Sequence, residues 1–271
     1  MTREEAQRFL SDVGQKSDGG FPLLEAAIAC SVHEDPARDP EEARALAIEA
    51  AGRLKARLKR ESPEEALAET MAGDMRLAGD LITYDSPENT DILCVARRRK
   101  GLAVALGVLY LDVGRQCGLD VAGVDFPGHF LLRIETGEGP LALDPFSEGR
   151  VVLPSELTRR ALHAGLLPNV AEKLDALMAP ASDRAVLIRL QNNIFARAVA
   201  ARDFARAERS ALRRALIDPG DHRPWIDVAA AREGQGALAG ALEALANAQR
   251  LDGGAALAAR AARERVRLKL N

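Results

Sequence analysis

A chain of 271 residues with a net charge of −3 has no overall attraction for a nucleic-acid backbone, and no apolar run reaches the ~18 residues that cross a membrane. Hydrophobic residues make up 47% but aromatics only 4%, so Ala, Leu and Val must fill the core, and an Ala-rich chain with few β-branched runs favours helices. Cys30, Cys94 and Cys117 are too widely spaced for a disulfide framework or a paired metal site, and residues 1–10 are too charged for a signal peptide, so the expected location is cytoplasmic.

Residues 1–80 carry helical patterns. Residues 22–32 form one apolar stretch, in which Cys30 is expected to be buried. Asp39-Pro40, with Glu42 three residues after the Asp, opens a helix whose stripe is Leu46, Ala50, Leu54 and Leu58. Ser62-Pro63-Glu64-Glu65 repeats the start signal before residues 66–77. Residues 84–91 read as a turn ending in cap residues. A helix over 92–99 follows, with cations at its C-terminal end and Gly101 as its stop. The next helix runs from Ala103 to Gln116.

From Val121 to Gly149 the pattern changes. Apolar runs at 129–134 and 141–143 flank residues 135–140, where Gly137, Gly139 and Pro140 are turn residues, so two antiparallel strands are expected. Residues 151–154 are extended, and Ser155 caps a helix through Leu162. Helices leading into a hairpin with a buried face make an α+β fold. From Ala181 onward the patterns are helical only. Loops at Asp218 and Asp252 stand 34 residues apart (252 − 218), the period of a tetratricopeptide repeat. Trp225, Ala241 and Ala248 take that pattern's bulky and small places. Gln191, Ala207 and Arg214 correspond one period earlier, with Arg214 off pattern. Residues 255–270 would close the array. Two domains are expected, residues 1–181 and an all-α tail of residues 182–271. The tail's sixteen basic and ten acidic residues leave +6, and the remaining 21 basic and 30 acidic residues leave −9. Such an imbalance describes solvated faces, and Phe195, Phe204 and Trp225 make no stacking platform for single strands.

Side chains alternate along a strand, so His129, Leu131 and Arg133 share a face, and the hairpin brings His129 beside Asp144. A His oriented by a carboxylate supplies two parts of a nucleophilic triad. No His or Cys lies within four residues of His129, and His33, His163 and His222 are scattered, so no metal or other cofactor is expected.

Residues 85–89, Arg98-Arg99-Lys100-Gly101, Gly118-Leu119, residues 123–131 and Asp144-Pro145-Phe146 resemble the bacterial SirB-type proteins, which join a transglutaminase-like domain to tetratricopeptide repeats. The likeness spans nearly the full chain and is most specific over 123–146. It implies a transglutaminase-like, papain-like small sheet, with His129 as base and Asp144 as its orienter. Gly128, Phe130 and Phe146 would bind a ligand there, and Trp225 would serve the repeat surface. The related transglutaminase and papain-like folds place a Cys at a helix start, and the SirB-type pattern usually holds Pro and a small hydroxyl residue there, where this chain departs from both with Ala103 and Ala105. Neither can attack a substrate. Cys94 lies nine residues upstream of Ala103, and Cys117 stands at the far end of the helix. The expectation is therefore a degenerate, protein-binding member with a regulatory or assembly role and a protein partner. The rival reading is a hydrolase or acyl-transferase of peptide or amide bonds that uses Cys94 or Ser147. A nucleophile within about 3.5 Å of a His129 nitrogen separates the two.

Overall fold

The computed structural model describes residues 1–251 and 256–270, so the expected loop from Asp252 and the first residue of the closing helix, Ala255, lie outside the described residues. In chain order the elements are α1 (Arg3–Gly14), α2 (Leu23–Glu34), α3 (Glu41–Arg57), α4 (Pro63–Ala68), β1 (Ala78–Gly79), α5 (Ile92–Arg98), β2 (Lys100–Gly101), α6 (Ala103–Gln116), β3 (Val121–Val124), β4 (Leu131–Thr136), β5 (Gly139–Asp144) and β6 (Arg150–Val152). Helices follow alone: α7 (Pro154–His163), α8 (Pro168–Ala171), α9 (Leu174–Leu177), α10 (Asp183–Ala200), α11 (Phe204–Ile217), α12 (Arg223–Gly234), α13 (Leu238–Leu251) and α14 (Ala256–Leu270). The fold is α+β with a helical C-terminal region. Two compact units form. One holds Pro22–Ser31 and Ala37–Arg189, the other Met1–Phe21, Val32–Pro36 and Leu190–Asn271. A single cut between 181 and 182 does not describe them, because two N-terminal segments join the C-terminal helices.

The first of these units is built on α6. From Ala103 to Leu111 this helix is apolar all round, with Leu106, Val108, Leu109, Tyr110 and Leu111 buried, as a helical segment enclosed on every side must be, and only its last turns carry Asp112, Arg115 and Gln116. Beside it lies a four-stranded antiparallel sheet in the order β3-β4-β5-β6. Helix and sheet approach closely because Gly107 and Gly123 leave room for the Phe130 ring, which a Cβ at either position would strike. The hairpin differs from the expectation in two ways. β4 begins at Leu131, so His129 sits in a bend before the strand. Gly139 and Pro140 pair with Thr136 and Glu135, which leaves a two-residue turn at Gly137-Glu138. Pro140 is tolerated there because β6 pairs with β5 only from Ala142 onward. β3, unexpected from a run broken by Gly123, completes the sheet.

Some helix ends also differ from the sequence reading. α5 stops at Arg99, which takes the left-handed conformation (φ 60°), and Gly101 instead packs against Val95. α7 opens at Pro154 after Leu153, so Ser155 lies inside its first turn and caps nothing. Residues 69–74 wind as a π-helical turn, so no regular helix reaches Leu77.

In the other unit, α11 packs on α12, α12 on α13 and α13 on α14, while α1 packs on α11. Gly14 makes that last approach possible, since a Cβ there would collide with the Leu216 carbonyl oxygen. The local structure repeats at 34 residues. The Asp203 amide donates to the Ala198 carbonyl (2.8 Å) and the Ala237 amide to the Arg232 carbonyl (2.9 Å). Arg202 and Gly236, again 34 apart, both have positive φ, and Ala207 and Ala241 are both fully buried. Arg214, off pattern in sequence, pairs with Asn192 and Asp227 and lies over the Phe195 ring.

Candidate functional site

The site is assembled from two turns. The turn at Pro127-Gly128, with Gly128 at φ +72°, presents His129, whose amide donates to the Phe126 carbonyl (3.1 Å). The second turn, Pro145–Ser147, is capped by Asp144, whose Oδ1 accepts from the amides of Phe146 (3.1 Å) and Ser147 (3.4 Å). His129 Nε2 lies 2.9 Å from the same Oδ1, so the expected contact exists, made between turns rather than across a strand pair. Sequence reasoning missed two further features of Asp144. Arg160 Nη1 donates to its Oδ2 (3.0 Å), and so does Ser147 Oγ (3.1 Å). Arg160 reaches it from α7 and is itself held by Glu156, which also binds Arg150. Asp144 is 1% exposed. Burial pushes its carboxyl up, but the bonds and charges of His129 and Arg160 outweigh burial and hold it at about 2.

Phe146 forms one wall. Its ring meets Tyr84 edge-on (centroids 5.8 Å apart) and His129 edge-on (6.3 Å), and it lies against Gly79, where a Cβ would stand 2.5 Å from the ring. Tyr84 belongs to the loop between β1 and the turn at residues 87–90, and this loop is fixed from beneath. Buried Asp80 accepts from the amides of Ile82 and Thr83, from the Thr83 hydroxyl and from Arg98 Nη2. The bonds from Thr83, its hydroxyl foremost, with those of Asn89 and the Ile82 amide, hold its carboxyl well below the usual carboxylate range. Buried Asn89 donates to the carbonyls of Thr83 and Tyr84 and accepts from Arg98. Held this way, the loop presents Leu81 and Ile82 to solvent at 83% and 86% exposure. The sequence signal for this loop is the 85–89 segment together with Arg98, the residues that build it.

Of the proposed binding residues, Gly128 is exposed and Phe146 half-buried beside His129. Phe130 is 2% exposed, its ring taken up by Gly107 and Gly123, so it is a core residue and not a ligand contact. Trp225 is half-buried in the other unit, packed against a cluster that includes Val228, Ala241 and Leu245, and it lines a cavity of about 430 Å3 with Leu216 and Arg250. Among the described residues, Asp144 is the side chain hydrogen-bonded to His129, and no Ser, Thr or Cys is. Cys94 is buried in α5, where Asp91 caps its amide. Cys117 donates to the Ala51 carbonyl, and burial pushes its thiol up. α6 opens with Ala103-Val104-Ala105.

A model of the transglutaminase-like superfamily matches residues 41–192, more than half of the chain and all of the site. The chain belongs to this superfamily. Curated relatives include a UPF0162 protein of Xylella fastidiosa strain Temecula1, 36% identical over 118 residues (43% of this chain, 42% of the relative). A UPF0162 protein of Vibrio cholerae is 41% identical over 76 residues, 28% of each chain. F-box only protein 21 of Mus musculus is 33% identical over 82 residues, 30% of this chain and 13% of that one. The matches thus cover about two fifths or less of these relatives' length. No solved structure matches the chain. Among the described residues no helix is long and apolar enough to cross a membrane.

Proposed function

We propose that this chain is a non-catalytic, SirB-type member of its superfamily, a cytoplasmic protein that binds a polypeptide partner in a regulatory or assembly role. The observation that carries this reading is the company of His129. Its orienting carboxylate is in place, yet among the described residues no nucleophile is bonded to it, and α6 opens on alanines. The rival nucleophile Ser147 gives its hydroxyl to Asp144 Oδ2 and not to the imidazole. What remains is a partly exposed His against Phe146, whose ring also meets Tyr84 on the loop that carries the exposed Leu81 and Ile82. Such a surface suits an extended peptide better than a bond-breaking step. The 34-residue recurrence of turn hydrogen bonds, positive φ and buried alanines supports a tetratricopeptide-like binding surface around Trp225.

Alkylation of the native chain with iodoacetamide at neutral pH, read by mass spectrometry, tests the reading. Slow modification of Cys94, indifferent to His129→Ala, is expected. Fast, selective modification of Cys94 that slows sharply in His129→Ala would show an activated thiol and restore the enzyme reading.

A further inference from the structure

The face of the sheet turned away from α6 carries a second cavity. Register places Arg133, Ala142 and Val152 in one row across β4, β5 and β6. Leu157 of α7, Leu174 of α9 and Met178 wall this row, and Ala142, with only a methyl, keeps its floor low. The resulting cavity measures about 240 Å3. Its lining is aliphatic except for Arg133 and Asp175. None of the residues that form the His129 site lines it.

The polar groups define what fits. The Arg133 side chain is 23% exposed, and its Nε donates to Glu135 (2.6 Å). Its Nη1 and Nη2 are bonded to no protein atom among the described residues. These donors call for an acceptor, and an ammonium offers none. An anion fits poorly too. Glu135 already matches the charge of Arg133, and exposed Asp175 adds a second negative group at the rim. An aliphatic lining over so large a volume favours an apolar body, since a dry apolar cavity of roughly 150 Å3 already accepts benzene.

We propose that this cavity is a binding site for a small aliphatic chain, about six carbons long, that ends in an uncharged oxygen acceptor such as an amide, an ester or an alcohol. The chain lies over Ala142 and its oxygen accepts from the Arg133 guanidinium.

The test uses the full chain with 13C-methyl methionine, titrated with hexanamide and, in parallel, with hexanoate and hexylamine. Met178 lines the cavity, while buried Met71 and Met75 report on the integrity of the fold. The expected result is a saturable shift of the Met178 methyl by hexanamide, with hexanoate and hexylamine binding more weakly. Arg133→Met, which keeps the stem, is expected to weaken hexanamide roughly tenfold by removing a hydrogen bond from a charged donor. Ala142→Leu, which raises the floor, is expected to abolish the shift with Met71 and Met75 unmoved. The proposal is overturned if hexanamide gives no saturation up to its solubility limit. It is equally overturned if hexanoate binds as tightly as hexanamide, or if Ala142→Leu with intact Met71 and Met75 signals leaves binding unchanged. Should Ala142→Leu fail to fold, the Arg133→Met titration decides alone.

Discussion

Asp144 is the residue on which the site turns. Five donors converge on one buried carboxylate: two amides of its own turn, the Ser147 hydroxyl, the His129 ring and the Arg160 guanidinium. Because its folded value lies at about 2 and an unfolded Asp titrates near ~3.9, it contributes stability above roughly pH 4 that is lost as pH falls through about 2. The contribution is about 2 kcal/mol. Asp144→Asn is expected to cost about 2–3 kcal/mol at pH 7, because Arg160 loses an acceptor, and to flatten this acid limb. Urea unfolding of both proteins between pH 2 and pH 7 checks it, and a variant with the acid limb of the parent would refute the assignment. The sequence showed the His129–Asp144 contact because a short hairpin forces the two turns together. It did not show Arg160, since nothing local in α7 says which distant carboxylate that side chain will meet.

Among the elements, α6 and the sheet are held at a distance set by Gly107. An exposed helical Gly→Ala normally gains up to ~1 kcal/mol from helix propensity. Here the sign reverses. A methyl at 107 strikes the Phe130 ring, so Gly107→Ala is expected to cost about 1–3 kcal/mol and to lower the melting temperature, as differential scanning calorimetry would register. A rise in melting temperature would mean the ring can yield. In the other unit, residues 32–36 are held by ions. Arg213, 1% exposed, donates to Glu34 (2.8 Å) and Gln191 (2.7 Å), Arg209 donates to Glu34 (2.6 Å), and Arg3 Nε donates to the His33 carbonyl (2.8 Å). Glu34→Gln leaves a buried guanidinium without its counter-charge and is expected to cost about 3–5 kcal/mol by urea titration. A cost under ~1 kcal/mol, the surface-pair range, would show that Gln191 alone satisfies Arg213.

At the scale of the whole chain, stability near neutral pH has a second lever. Burial first, then the charges of Arg213 and Arg3, push His33 down to about 4. A His kept neutral in the fold must gain a proton on unfolding below ~6.5, so its contribution is complete above that pH and is lost as pH falls toward 4. His33 therefore weakens its unit at milder acidity than Asp144 weakens the other. The composition of the units yields a further expectation. α1 buries Ala6, Leu10 and Val13 in the unit that also contains residues 190–271. A chain ended at residue 189 is expected to lose amide-exchange protection in α1, measured by hydrogen exchange and mass spectrometry. Full protection there would contradict the assignment of α1 to that unit.

The amino-acid order by itself determined most of the longer helices, the change to strands after Val121, the α+β class, the 34-residue recurrence and the meeting of His129 with Asp144. Those features rest on periodicity, turn residues and short loops, all of which act between residues close in the chain. Tertiary structure alone decided that residues 1–21 and 32–36 join the C-terminal helices, that Phe130 is core, that Tyr84 stands against Phe146, and that Arg160 completes the carboxylate's partners. Each of these depends on which side chains are desolvated together across long stretches of chain, and no local pattern encodes that.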